Sequence, residues 1–504
     1  MKQSKLKINR NCCLISLFIF LLVVACNRET DTGKFVSAPC PVKVPEELVT
    51  NGKFSFGYMK VPEFHSKPYG NTIELAVAVF KFIGDIATHE PLIFVTGGPG
   101  SSDIGGWVPL LSSNFGKLFL DNRDVVIIEL RGLRYSNPNL LIPEIDSLQM
   151  TLLDKNYTEE KTIELYLETL KKAYDRFTNQ GINLSAYNNY EMADDIAFIM
   201  ENLGYPKFTI FGVSFGTMGA QHVILKYPDR VVCGVLNATV DIQNGFSKFH
   251  VNSIKTLDAI FEECKSDPVY AKAFPEQKNR FLALIKQLNE HPDTITIKNP
   301  SDKKDYQVVL NGNKLSVWLF AGMYYNTQVP LTLQKILAKD YSEIQAQPDL
   351  IFPLKNFSHG LSVSIIESES SNIKDEQIPV NGEYGEFIKG CGTMMFTPYF
   401  INQAKKVWIV DDLSQRERTI NSDVPILMFN GELDHLCHAD YLNEMTKRLN
   451  NKYFYLFPGV AHSPIEVGMC GISMMKEFID DPSKAPNDSC FKEFRYSGFL
   501  LPKL

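Results

Sequence analysis

Basic residues hold no surplus in this chain: 51 Lys and Arg stand against 58 Asp and Glu, a formal net charge of −7. That balance argues against nucleic acid as a partner. Long apolar runs are also scarce, and the apolar stretch at 14–24 is shorter than the roughly 20 residues a spanning helix needs. No internal repeat or low-complexity tract is present, which sets aside solenoids and extended disordered linkers. A glycine-rich segment occurs at 97–100, but no G-K-[ST] follows it, so a Walker-type phosphate loop is excluded. His435, Cys437, His438 and Asp440 crowd beside Asp434 in D-H-L-C-H-A-D, yet the spacing fits no standard zinc pattern. No metal or organic cofactor is therefore expected. The remainder, 44% hydrophobic and 22% charged, is ordinary globular composition, with length for one large core or two.

The positive signals begin at residues 208–216, F-T-I-F-G-V-S-F-G, which read as a strand running into a G-x-S-x-G turn. Gly212 and Gly216 bracket Ser214, and an apolar, helix-compatible run follows at 218–225. Such a turn strains the central residue and exposes its hydroxyl at the end of a sheet, where a base can reach it. A bare G-x-S-x-G would arise by chance roughly once in ten such chains, so the strand–turn–helix context carries the weight.

Three other segments bear on the same chemistry. Residues 91–95 form a short apolar run ending in T-G-G-P-G-S-S, a loop whose backbone can approach a ligand closely. Residues 424–430, V-P-I-L-M-F-N, read as a buried strand followed by Gly431, Glu432, Leu433 and Asp434. Another strand begins near 454 and ends in P-G-V-A-H, which places His462 on a loop. Ser214, Asp434 and His462 each follow a predicted strand at one edge of a parallel sheet, where such sites are assembled. Asp241 and Glu432 are alternative acids.

The first 26 residues read as a processing signal. Lys2, Lys5, Lys7 and Arg10 form a basic n-region ahead of the apolar stretch. The end of that stretch, V-V-A-C, resembles a bacterial lipobox. Cys26 would become the lipidated first residue, residues 27–39 a polar tether, and the mature protein a lipid-anchored, extracytoplasmic component of the bacterial cell envelope. Setting aside Cys12, Cys13 and Cys26 leaves seven of the ten cysteines, so at least one thiol stays free within a single chain. Cys470 and Cys490 flank a short C-terminal helix and are the most plausible bridge.

Strand-like alternation at 52–60 and 72–82 predicts an antiparallel sheet edge, and 124–129, D-V-V-I-I-E, predicts a strand buried on both faces. A helix is expected over 191–203. Strands and helices alternate from 91 to 240, a doubly wound pattern. The rhythm then changes to helices at 253–264, 281–289 and 314–325, with polar stretches such as 367–375 between them. The expected organisation is a core at 40–240, a helical cap at 241–423 and a second core segment at 424–504. Phe396, Tyr399 and Phe400, at the cap's end, are candidates for cap core or for lining a substrate pocket.

Taken together, these segments resemble α/β-hydrolases of the prolyl-aminopeptidase and tripeptidyl-aminopeptidase type. G-G-P-G-S at 97–101, E-L-R-G at 129–132 with Ser136 and Pro138, G-V-S-F-G-T at 212–217 and the ending from His462 to Cys490 carry the resemblance. It implies an α/β fold with a mostly parallel sheet and a mainly helical cap inserted after the sixth core strand. It also implies a triad in the order Ser214, Asp434, His462, and an oxyanion hole from the amides of Gly98 and Phe215. The expected substrate is a peptide with a free N-terminus. A carboxylic ester cleaved by the same triad, or a non-catalytic binding role, are the alternatives. Departures are visible: Glu129 replaces the usual Asp, Leu133-Arg134 a small residue and Gly, Tyr270 a second cysteine, and Thr96 the His often found in prolyl enzymes.

Overall fold

The computed structural model describes residues 31–370, 381–466 and 468–502. The proposed signal, Cys26 and residues 371–375 of the expected polar stretch lie outside the described residues. Among the described residues, nine strands form one sheet: β1 (Phe35–Ser37), β2 (Phe54–Pro62), β3 (Thr72–Phe80), β4 (Leu92–Val95), β5 (Val125–Ile128), β6 (Phe208–Val213), β7 (Val231–Asn237), and two late strands. A separate hairpin, β8 (Asp293–Lys298) and β9 (Asp305–Leu310), precedes those two, β10 (Ile426–Gly431) and β11 (Lys452–Phe457). The sheet order is β1-β2-β3-β5-β4-β6-β7-β10-β11. Pairing is parallel from β5 to β11 and antiparallel among β1, β2, β3 and β5.

The apolar runs become central strands because both faces are covered. Leu92 and Phe94 belong to the core on one face of the sheet, Ile93 and Val95 to the core on the other. A period-2 chain with no polar side can only be satisfied between two helical layers. The helix after β6, Phe215–Lys226, is buried along nearly its whole length.

Between β7 and β10 the chain is mostly helical, including Phe249–Ser266, Gln277–Glu290, Gly312–Gly322 and His359–Glu369. Two corrections to the sequence reading arise here and at the N-terminus. Residues 35–37, read as tether, pair with β2 as strand β1. Residues 367–369, read as a polar stretch between helices, lie inside a helix whose residues are all buried. The β8–β9 hairpin was not anticipated either.

The C-terminal end is fastened both covalently and by packing. A disulfide joins Cys470 to Cys490. Tyr270, where the resemblance would place a cysteine, instead accepts the Phe499 amide at 2.9 Å and packs on the Phe499 ring. Among the described residues, no helix is long and apolar enough to cross a membrane.

Candidate active site

Ser214 follows β6 directly and adopts φ 55°, ψ −123°. This conformation is unfavourable for a residue with a Cβ and is held by its surroundings. A Cβ at Gly212 would strike the backbone of Gly216, and one at Gly216 would strike the carbonyl of Val95. The turn therefore closes only with glycine at both positions. Phe215 opens the following helix, so its amide has no intrahelical acceptor and is free to face a ligand. Gly97 lies against the Ser214 side chain, while Gly98 is exposed, with φ +133°.

The loops after β10 and β11 supply the other two side chains. His462 Nδ1 and Asp434 Oδ2 are 2.9 Å apart. Asp434 Oδ1 accepts the Leu436 and Cys437 amides, each at 2.9 Å. Burial opposes the charge on Asp434, but His462 and the Cys437 amide outweigh it and hold the carboxyl below its ordinary value. The rival acids point elsewhere. Asp241 accepts from Gln243 and Asn244, and Glu432 accepts the Gly459 amide at 2.8 Å.

Ser214 is tied to the histidine loop through Asn237, at the end of β7. The Asn237 carbonyl accepts the Ser214 amide at 2.8 Å. Its side chain donates to Ser463 Oγ at 2.7 Å and accepts the Ile465 amide at 3.3 Å. Cys437 bridges the same space: its thiol interacts with Ser214, and its sulfur lies within 4.8 Å of donor atoms on Asp434 and His462. Burial, then the Asp434 charge, pushes that thiol well above its usual range. Asp434, Cys437 and His462 are thus close enough to hold a cation, although the Asp434 oxygens are already engaged by His462 and two amides.

Of the other residues in that stretch, His435 packs edge-on against Phe320 and Tyr324, and neither ring nitrogen has a hydrogen-bond partner among the described residues. Burial drives it down to about 3, so it is neutral in the physiological range. His438 caps Asp440 instead, accepting its amide.

The segment between β7 and β10 reaches the site through Tyr324, whose ring stands edge-on to His462 with centroids 5.0 Å apart. Phe396 packs on Phe249 and Phe320, next to His435, and Phe400 is core. Tyr399 lines a cavity of about 690 Å³ with Asn156, Glu159, Asn311 and Asn313. None of the three candidate catalytic residues lines that cavity. Asn311 and Asn313 of its lining stand at the start of helix Gly312–Gly322, with Phe320 seven to nine residues further on, roughly 10–14 Å at 1.5 Å per residue.

Asn237, Cys437 and Tyr324 were not singled out for these positions. Asn237 ends a strand with no local pattern around it, and Tyr324 reaches the site only through tertiary packing. Cys437 stood in a conspicuous stretch, but as a metal candidate.

A parallel sheet with a strained serine turn after β6 and an acid–histidine pair after β10 and β11 is the architecture of an α/β-hydrolase. The profile of the α/β hydrolase fold family matches residues 90–468, and the chain belongs to that family. Serine protease Hip1 of Mycobacterium tuberculosis is 26% identical over 206 residues, 40% of this chain and 39% of its own length. Tripeptidyl aminopeptidase of Streptomyces lividans is 29% identical over 201 residues, 37% of this chain and 35% of its own. The matches therefore span under two-fifths of each of these relatives. Among solved structures, proline iminopeptidase of Mycobacterium smegmatis aligns with 84% of this chain and 98% of its own at 12% identity, with a TM-score of 0.37. A score that low adds nothing to the family assignment.

Proposed function

We propose that this chain is a lipid-anchored, extracytoplasmic serine hydrolase that releases N-terminal residues or short peptides from peptides with a free N-terminus. The observation that carries the reading is the strained turn of Ser214 joined through Asn237 to the loop of a buried Asp434–His462 pair. The names of the Hip1 and tripeptidyl aminopeptidase relatives support a peptide substrate.

In this mechanism Ser214 Oγ attacks the scissile carbonyl while His462 takes its proton. Asp434 holds the imidazole by Nδ1, leaving Nε2 for the serine and then for the leaving amine. The Phe215 amide and the glycine loop, at Gly98, take the oxyanion. The acyl-enzyme is then hydrolysed by water that His462 activates.

The test uses protein lacking residues 1–26 on matched aminoacyl- and tripeptidyl-arylamides, free and N-acetylated, beside a short-chain aryl ester. The expected result is cleavage that acetylation abolishes and that Ser214→Ala removes. Ester cleavage with every amide untouched would replace this reading with an esterase. No Ser214-dependent turnover on any of them would count against catalysis and favour a binding role.

A further inference from the structure

An oxyanion loop must hold its amides still, because donors that drift lose the advantage of preorganisation. The loop between β4 and helix Asp103–Leu111 is gripped at both ends by carboxyl groups. Asp103 Oδ1 accepts the Thr96 amide at 2.8 Å, at the start of the loop. Glu129, just past β5, takes the other end: Oε2 accepts the Ile104 amide at 2.7 Å and the Ser102 hydroxyl at 3.0 Å. Its Oε1 accepts the Tyr135 amide at 3.2 Å.

Both carboxyls are fully buried, and no ion pair to either occurs among the described residues. Among the described residues, Asp103 Oδ2 has no hydrogen-bond partner. The titratable groups that face them are each other and, across the sheet on β2, Tyr58. Two unpaired carboxyls in one dry place lower stability. A fold that only needed a turn here could have used neutral side chains, so the arrangement points to a task at the loop.

We propose that Asp103 and Glu129 are positioning residues for the hydrolysis, locking residues 96–104 so that the loop's amides stay opposite Ser214. The inference rests on Ser214 being the nucleophile. Glu129 meets hydrogen-bond donors from Ser102, Asp103, Ile104 and Tyr135, the environment of a charged acceptor, whereas Asp103 meets only the Thr96 and Leu130 amides, and its Oδ2 suits a neutral acid. The electrostatics make Glu129 the first of the two to ionise. Burial pushes Glu129 up only to about 7, while burial and then the Glu129 charge push Asp103 well above its ordinary value.

The experiment measures the second-order rate at which a fluorophosphonate labels Ser214, together with the thermal midpoint of each variant. Asp103→Ala should label about 10-fold or more slowly, part of the roughly 10²–10³-fold lost when an oxyanion donor is removed outright. Asp103→Asn keeps Oδ1 as an acceptor and should recover most of that loss. Ser102→Ala, a milder change at a partly exposed site, should slow labelling a few-fold and gives a reading even if Asp103→Ala does not fold. Wild-type rates in the folded variants, or Asp103→Asn as slow as Asp103→Ala, overturn the proposal while the nucleophile reading stands. A wild-type protein that takes no label overturns both.

Discussion

Asn237 donates its side-chain amide to Ser463 Oγ at 2.7 Å, and its own carbonyl accepts the Ser214 amide at 2.8 Å. One buried residue thus sets the backbone of the serine turn and the loop next to His462. Asn237→Ala removes the side-chain half and leaves Ser463 and the Ile465 amide without this partner. A buried amide such as that of Ile465 left unsatisfied costs about 1–3 kcal/mol, so a lower thermal midpoint is expected. Fluorophosphonate labelling of the folded fraction should slow as well. An unchanged midpoint and labelling rate would show that Asn237 links nothing of consequence.

The choice of acid is testable by substitution. Asp434→Asn keeps the volume but lets the wrong imidazole tautomer form, which should lower kcat by about 10³–10⁴-fold. Asp241→Asn and Glu432→Gln should stay within a few-fold of wild type, since neither carboxyl bonds to His462. A severe loss at Asp241 with Asp434→Asn active would reverse the assignment.

Stability against pH should separate the two kinds of buried carboxyl. Asp434 is held below its unfolded value, so its contribution is present above about pH 4 and is lost as pH falls through its folded pKa. Asp103 is raised, so its contribution is full below about pH 4 and is lost as pH rises. Asp103→Asn, which cannot ionise, should therefore match wild type near pH 4 and become progressively more stable than wild type toward pH 8. Thermal melts across that range check the sign. A midpoint difference that shrinks with rising pH would contradict the raised Asp103.

Anchoring through Cys26 has its own test in the full chain. Cys26→Ser should release the protein from the membrane fraction and abolish incorporation of labelled fatty acid, with arylamide or fluorophosphonate reactivity unchanged. Persistent membrane association without acylation would mean that residues 1–26 remain as an uncleaved anchor.

The parts that were legible in the sequence are those fixed by local chemistry. G-V-S-F-G declares its turn because only glycine at 212 and 216 clears the neighbouring backbone. The strands at 92–95, 125–128 and 426–431 declare themselves because residues buried on both faces carry no polar alternation. Strand β1 was missed because three residues, two of them exposed, leave no period to read. The hairpin β8–β9 alternates, but within a stretch dominated by helical pattern. Asn237, Asp103 and Tyr324 matter through contacts that cross the fold, and no window of sequence contains those pairings.

Peptide mapping of fluorophosphonate-treated protein tests Ser214 as the nucleophile most directly. One adduct is expected, on Ser214, that Ser214→Ala eliminates and His462→Ala strongly slows while both variants remain folded. An adduct on another residue, or labelling that survives Ser214→Ala, would contradict it.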